Sequence, residues 1–184
     1  MSSSPTPPEA PSPHRIFASD IISEDAAALA FAETYEGVLL YCHTAGSWYE
    51  WKESHWRREN TSLAFHFARE LARRLGENLK HGERTQVAKA SFAAAVERYA
   101  RADRTFAVEA DVWDRDSMLL ATPGGTINLR NGGIREADPE DKITRVTAVT
   151  PSDSTDDCPQ WMGFLRQSFD GNEEMIRFLQ QWLG

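Results

Sequence analysis

The sequence predicts an α+β fold, with helices at both ends and a small antiparallel β region between them. Apolar residues recur every three or four positions near both ends of the chain, which is the spacing of amphipathic helices. The middle contains short runs rich in aromatic and β-branched residues, separated by turn residues. These runs predict β hairpins at about residues 38–58 and 119–150.

The first thirteen residues, MSSSPTPPEAPSP, contain five of the nine prolines and few side chains that could be buried. We therefore expect residues 1–22 to form a disordered tail that is rich in proline and serine, followed by one domain over residues 23–184. No apolar run is long enough to cross a membrane, and the N-terminus does not resemble a secretion signal. With only two cysteines, the sequence is typical of a cytoplasmic protein without a disulfide scaffold.

Two helices are expected in the first half of the chain. Ser23 is placed to cap the first helix, and Gly37 ends it. Thr61 or Ser62 is placed to cap the second helix, which stops at Gly76. The apolar stripes are Ala27, Phe31 and Tyr35 in the first helix, and Leu63, Phe67, Leu71 and Leu75 in the second.

A third helix is predicted over about residues 85–102, and two short helices close the chain. The closing helices begin at Cys158 and Pro159 and after Asn172, and Gly171 separates them. The apolar side of the third helix is expected to consist of Ala88, Phe92, Ala95, Val96 and Tyr99. The segment TFAVEADVWDRD, which follows this helix, is expected to be an acidic loop.

The β segments are short and bounded by turns. They are predicted at residues 38–42, on both sides of 52–55, at 119–121 and 126–129, and in the stretch TRVTAVT. The stretch ATPGGTINLRNGGI contains four glycines, which raises the question of a phosphate-binding loop. No lysine and no helix follow the glycines, so both nucleotide-binding fingerprints fail. Turns explain the glycines, and Asn131-Gly132-Gly133 is the clearest turn.

The charge is distributed unevenly along the chain. Its net value is −8, yet residues 50–104 carry twelve Lys and Arg against eight Asp and Glu. Clustered cations are what phosphate binding requires, whereas a charged helix face is also an ordinary solvated surface. The DNA-binding candidates are Arg57, Arg58, Arg69, Arg73, Arg74, Lys80, Arg84 and Lys89. Arg69, Arg73 and Arg74 of the second helix are expected to lie close to one face, because a spacing of four residues goes only about 40° past a full turn.

Three tryptophans in the first hairpin permit two interpretations. Trp48, Trp51 and Trp56 are either stacking platforms for the bases of single-stranded DNA or core residues that pack on the helices. The aromatic residues of the closing helices permit a further alternative, in which the chain is a protein–protein adaptor without DNA binding. Its docking surface would consist of Trp161, Phe164, Leu165, Phe178 and Trp182.

No residue pattern specifies an active site. Glu109, Asp111, Asp114 and Asp116 could gather a magnesium ion for nuclease chemistry, or they could belong to a solvated acidic loop. The spacing of the histidines and cysteines matches no zinc pattern, and no nucleophile-elbow motif is present. We therefore expect no catalytic residue and no metal site in this chain.

Three segments, taken in order, resemble parts of one family. They are WYEWKESHW, LLATPGGTINLRNGGIREADPEDKITRVTAVTPSD and CPQWMGFLRQSFDGNEEMIRFLQQWLG. The first resembles the family's W-x-x-W…W hairpin, the second its LN-x-x-NG-x-x-DL segment, and the third its closing helix pair. The family is the phage and plasmid primase–helicases, with relatives in poxviruses. The similar part is the domain immediately before a superfamily 3 helicase motor.

The sequence departs from the family pattern at a few positions. Ala121 and Gly124 stand where the family usually has Asn, and Asn128 stands where it usually has Asp. The hairpin turn contains Lys52-Glu53-Ser54 instead of the usual Asp-Gly type. These residues are compatible with turns, so the resemblance is retained.

The resemblance implies a non-catalytic module of a replication primase–helicase. Such a module would help to assemble the ring and to engage single- or double-stranded DNA. Its partners would be copies of itself and a helicase domain expected beyond the last residue. ATP and magnesium would bind only in that helicase domain.

Overall fold

The computed structural model describes residues 22–152 and 158–183. The chain divides into two compact units, of which the first ends at Thr150 and the second begins at Pro151. Most of the predicted tail therefore lies outside the described residues. Ile22 is described and is buried, so it belongs to the folded part and not to the tail. None of the helices within the described ranges is long and apolar enough to cross a membrane.

The predicted α+β class is confirmed. In the first unit the helices are α1 (Glu24–Tyr35), α2 (Leu63–Gly76), α3 (His81–Val87) and α4 (Ala90–Ala102). The first sheet contains β1 (Leu39–Cys42), β2 (Ser47–Trp51), β3 (Trp56–Arg58) and β4 (Ala107–Val108), and the second contains β5 (Leu119–Thr122), β6 (Gly125–Asn128) and β7 (Gly133–Arg135). The second unit contains α5 (Pro159–Ser168) and α6 (Glu173–Leu183).

Helix α1 forms as the sequence predicts. The Ser23 hydroxyl accepts a hydrogen bond of 3.1 Å from the amide of Ala26, and two acidic residues occupy the first turn. Phe31 and Tyr35 are buried together with four of the five alanines of the helix, and Gly37 ends the element with a φ of +72°. The expected stripe therefore becomes the centre of the helical core.

The cap of α2 differs from the prediction. Ser62 occupies the cap position but makes no capping hydrogen bond through its side chain. The carboxylate of Glu59 accepts instead, from the amide and hydroxyl of Thr61 and from the amide of Leu63 at 3.1 Å. Partial burial opposes ionisation of this carboxylate, but the hydrogen bonds outweigh it and lower the pKa of Glu59.

The predicted third helix over residues 85–102 is wrong, because the chain forms two helices with a break at Ala88 and Lys89. Val87 and Phe92 are both buried, yet five positions of a continuous helix would place them about 140° apart. The break turns both side chains toward the interior. Val87 then packs against the end of α2, where its Cγ2 would lie 3.1 Å from a Cβ at Gly76.

The apolar side of α4 also differs in part from the prediction. Phe92 and Val96 are buried as expected, whereas Tyr99 is 52% exposed. The buried positions are completed by Ala93 and Ala100, which are small enough to let α4 lie close against α1 and α2. The side of the helix that faces the core is therefore narrower and contains smaller residues than the sequence pattern indicates.

The first sheet has the strand order β3-β2-β1-β4. Strands β1, β2 and β3 are antiparallel, with Trp51 opposite Trp56 as the hairpin predicts, and β4 is parallel to β1. Strand β4 lies within the stretch expected to be a loop, and it follows Phe106, which is fully buried. The parallel pairing joins residues far apart in sequence, which local periodicity cannot predict.

The two faces of the first sheet have different neighbours. One face presents Leu39, Tyr41 and Trp48 to the helices, and these side chains belong to the main hydrophobic core. The other face carries Trp56, whose indole N–H donates to the Pro139 carbonyl at 2.8 Å. The amide of Trp56 also donates to the carbonyl of Ile143. The segment after β7 thus covers the face that the helices leave free.

The second sheet has the order β5-β6-β7 and is antiparallel. Its two turns contain the glycines of ATPGGTINLRNGGI, with a φ of +134° at Gly125 and +71° at Gly132. No helix follows, which agrees with the rejection of a phosphate loop. The stretch TRVTAVT forms no strand and contributes only a single bridge from Val146 to Ala121, so that prediction is wrong.

The second unit is a pair of helices with the predicted boundaries. Gly171 has a φ of +71° and separates α5 from α6. The side chain of Asn172 accepts a hydrogen bond of 3.0 Å from the amide of Met175, as expected of a cap. Leu165 and Ile176 are the buried residues of the two helices.

Candidate nucleic-acid interface

The solvent-exposed side of α2 carries two arginines that are available to a ligand. Arg69 and Arg73 are four residues apart and lie about 40° from each other around the helix, opposite the side defined by Ala64 and Ala68. Both are exposed, and neither has an ion-pair partner among the described residues. Glu70 lies near them but already contacts His66 at 3.3 Å.

Arg74 does not share this face. It lies about 100° from Arg73 around the helix, and it interacts with the hydroxyl of Tyr35. Burial raises the pKa of Tyr35, although the neighbouring Arg74 works in the opposite direction. Phe67 stacks on the same tyrosine with ring centroids 4.5 Å apart. The prediction that all three α2 arginines share one face therefore holds only for Arg69 and Arg73.

The two arginines of β3 point to opposite sides of the sheet, because neighbouring residues in a strand alternate. Arg57 is opposite Glu50, and its guanidinium lies 3.9 Å from that carboxylate. Arg58 donates two hydrogen bonds to the hydroxyl of Ser47, at 3.2 and 2.8 Å. Both side chains are exposed, but each has a partner, and the two cannot belong to the same flat contact surface.

The remaining basic candidates lie around α3. Lys80 immediately precedes the helix, Arg84 lies within it, and Lys89 lies at the break before α4. All three are exposed. The ammonium of Lys89 donates to the side-chain oxygen of Gln86 at 2.5 Å, while no ion pair holds Lys80 or Arg84 in the part of the chain that the structure describes.

Two of the three tryptophans are core residues. Trp48 is 6% exposed, and its indole N–H donates to a carboxylate oxygen of Glu97 at 2.8 Å. Trp56 is 1% exposed and is held by the Pro139 carbonyl. A base could stack on either ring only if the core opened. Trp51 is half-buried, so it is the stacking candidate that the fold leaves accessible.

Two of the carboxylates considered for magnesium binding, Asp114 and Asp116, accept hydrogen bonds from different residues. Asp114 accepts hydrogen bonds from the amide and hydroxyl of Thr144 at 2.8 and 2.6 Å. Asp116 accepts two from Arg130, at 3.0 and 2.8 Å, and this pairing lowers the pKa of Asp116. Asp111 is exposed and has no such partner among the described residues. These contacts connect separate loops, and the arrangement does not favour the nuclease hypothesis.

The histidines are also dispersed. His43 contacts the carbonyl of Arg101 at 2.7 Å, and His66 pairs with Glu70. Partial burial lowers the pKa of His55, and the nearby Arg57 and Lys52 lower it further. Within residues 22–152 and 158–183, no three His, Cys, Asp or Glu side chains lie close enough to hold a metal ion.

Two exposed arginines in α4 and after it were not among the candidates. Arg98 and Arg104 lie in the same basic stretch, and neither has an ion-pair partner within the described ranges. The charge count of residues 50–104 includes both of these arginines. They were not selected as candidates because they lack the i, i+4 spacing of Arg69 and Arg73 in α2. Arg101, between them, is instead bound to Glu97 at 2.7 Å and lies over the ring of Tyr41.

Comparisons with known proteins agree with the resemblance of the three sequence segments. The model of the family described as "D5 N terminal like" matches residues 28–170, which include all of the first unit after the start of α1 and the whole of α5. No curated protein matches the chain. The chain therefore belongs to the D5 N-terminal-like family, the N-terminal domain of phage, plasmid and viral primase–helicases.

Proposed function

We propose that this chain is a non-catalytic, cytoplasmic module that holds DNA and promotes ring assembly for a primase–helicase motor. Arg69 and Arg73 carry the DNA-binding part of this proposal. They are exposed on one helix face with no ion-pair partner in the described residues, so their charges are available to phosphates. ATP and magnesium would be bound by the motor domain and not by this chain.

The basic side chains around α3 would extend the same contact. Lys80, Arg84 and Lys89 are exposed and follow α2 directly in the chain. Phosphate contacts of this kind position DNA without reading its sequence. Trp51 could add stacking on an unpaired base, which would favour single-stranded over double-stranded DNA. The proposed contact therefore predicts salt-dependent binding with little sequence preference.

The test replaces Arg69 and Arg73 together by glutamate and measures binding of a labelled single strand by fluorescence anisotropy between 50 and 200 mM salt. We expect the affinity to fall by about tenfold or more. The slope of log affinity against log salt should decrease by about two, because two phosphate contacts are removed. The matched control is Arg115→Glu with Arg145→Glu, which changes the net charge equally at two exposed arginines outside this face.

The control separates a specific surface from general charge repulsion. Unchanged binding in the α2 variant would contradict the proposed face, and an equal loss in both variants would do so as well. The adaptor hypothesis makes a different prediction, because a pure protein–protein module shows no salt-dependent binding of DNA. The exposed aromatic side chains of α5 and α6 are the observation that favours protein contact.

A further inference from the structure

The second unit exposes an unusual amount of apolar surface for its size. Five large side chains of α5 and α6 are between 45% and 74% exposed: Trp161, Phe164, Met175, Phe178 and Trp182. In α6 the exposed residues are spaced by three and then four positions, which is the spacing of a seam between two packed helices. The buried Ile176 lies on a different side of the same helix.

The exposed residues of the two helices lie on one side of the pair. Arg166 contacts Glu173 at 3.3 Å and Gln180 contacts Met162 at 3.7 Å, so the helices run antiparallel. At 100° per residue, each exposed set lies about 100° from the buried side of its own helix, in the same rotational sense. In two antiparallel helices, equal rotations away from the buried sides place the exposed residues of both helices on the same side of the pair.

The area of this face can be compared with the area that a stable interface requires. A large aromatic side chain contributes about 200 Å², so five side chains exposed by roughly half leave on the order of 550 Å² of apolar surface. A pair of identical faces would bury about 1,100 Å², which exceeds the roughly 1,000 Å² expected of a specific interface. Two copies of this face therefore provide enough apolar area for a specific interface.

Charge favours a second copy of the chain as the partner. The whole chain has a net charge of −8, whereas residues 158–184 contain two arginines against three acidic residues. Two copies that approach through this helix pair therefore bring together segments that each carry one excess negative charge, and repulsion between them is small. We propose that the α5–α6 pair is a self-association surface that joins two copies into a four-helix bundle around a two-fold axis.

The orientation follows from the charges at the ends of α6. Glu173 and Glu174 lie in its first turn, and Gln180 and Gln181 lie near its end. A parallel arrangement would bring four carboxylates of the two copies to the same end. An antiparallel arrangement sets them beside the neutral amides and opposes the helix dipoles favourably. The two α6 helices therefore run antiparallel, with Phe178 close to the two-fold axis.

The first experiment is analytical ultracentrifugation of the full chain. We expect the unchanged protein to sediment at twice its 20.7 kDa monomer mass. Phe178→Asp with Trp182→Asp should return it to the monomer mass, because charged residues would be buried in the interface. The control Leu29→Asp changes a residue that is 55% exposed on α1 and should leave the dimer intact.

A second experiment locates the axis by disulfide cross-linking and does not depend on a destabilising variant. Cys158 is exposed and is first replaced by serine, while the buried Cys42 is retained. Phe178→Cys in this background should then form covalent dimers under mild oxidation. Met175→Cys alone or Trp182→Cys alone should not, because each would lie about 10 Å along the helix from its copy.

A monomeric unchanged protein would overturn the proposal, and so would dimers that survive the Phe178 and Trp182 changes. Equal cross-linking at all three cysteine positions would overturn the orientation. The two-fold contact joins two copies and is distinct from the head-to-tail contacts that close a ring, so it goes beyond the proposed function and is independent of the DNA contact. The two can fail separately: loss of the dimer with normal DNA binding affects only assembly, and loss of DNA binding with an intact dimer affects only the α2 face.

Discussion

Glu59 shows how one side chain determines where a helix begins. Two residues that usually cap helices, Thr61 and Ser62, are present at the expected place. Thr61 donates to the carboxylate of Glu59, and the side chain of Ser62 makes no capping hydrogen bond. The carboxylate also reaches the amide of Leu63 and lies at the positive end of the helix dipole. The sequence pattern identified the helix start correctly and the capping side chain wrongly, because a carboxylate two to four residues upstream can reach the same amides.

The first prediction concerns the pH dependence of this cap. The pKa of Glu59 is lower in the folded chain than its ordinary value, so its stabilisation is present above the unfolded pKa and is lost as the pH falls through the folded pKa. Glu59→Gln should reduce the free energy of unfolding at pH 7 by about 1 kcal/mol. The difference from the unchanged protein should shrink as the pH approaches 3.

Urea denaturation at several pH values measures this effect. Glu33→Gln provides the control, because Glu33 is exposed on α1 and makes no hydrogen bond through its side chain among the described residues. A pH-independent loss in the Glu59 variant would show that the ionised carboxylate is not the capping group.

For helices and strands, the local sequence pattern predicted which elements exist better than it predicted whether an element is continuous. The aromatic residues on both sides of 52–55 correctly indicated the first hairpin, and the glycines correctly indicated the turns of the second sheet. The same reasoning joined α3 and α4 into one helix, because no proline or glycine marks the break at Ala88 and Lys89. The break results from packing, since Val87 and Phe92 must both reach the interior.

The second prediction compares two glycines that both have positive φ angles. A Cβ at Gly125 would collide with the carbonyl oxygen of Arg135, whereas a Cβ at Gly132 would meet nothing within 4 Å. Gly132→Ala should therefore cost only the conformational penalty, about 1 kcal/mol. Gly125→Ala should cost more than about 3 kcal/mol, because the pairing of β6 with β7 must also shift. Equal losses in chemical denaturation would contradict this explanation.

At the scale of the whole molecule, the first sheet is packed on both faces. The helices cover one face, and the segment after β7 covers the other through Trp56 and its contacts with Pro139 and Ile143. The two buried tryptophans therefore connect the first sheet to two different neighbours, Trp48 to α4 and Trp56 to the later segment. This position makes both rings structural.

The third prediction tests the role of Trp56 in holding these parts together. Trp56→Phe retains an aromatic ring but leaves the carbonyl of Pro139 without its donor, so we expect a loss of about 2 kcal/mol in the free energy of unfolding. Trp51→Phe should cost less than about 1 kcal/mol, because Trp51 is half-buried and its indole N–H has no partner among the described residues. Urea denaturation of both variants provides the comparison, and a larger loss at Trp51 would contradict it.

The candidate site was predictable only in part, for a physical reason. Exposure and spacing along one helix are local properties, so the sequence identified Arg69 and Arg73 as neighbours on a solvated face. The place of Arg74 away from this face follows from helix spacing as well. The partners of Arg57 and Arg58, which are Glu50 and Ser47, lie on a neighbouring strand. Which charges remain unpaired is therefore decided by contacts between elements.

Local sequence was sufficient to predict the α+β class, the boundaries of most helices, the glycine turns and, through three recognisable segments, the family. These features depend on periodicity, turn chemistry and short motifs, which are written within a few residues of each other. The folded chain was needed to establish that Trp48 and Trp56 are buried, that α3 and α4 separate, and that β4 lies parallel to β1. These features require contacts between distant residues, and local sequence does not specify which distant residues will meet.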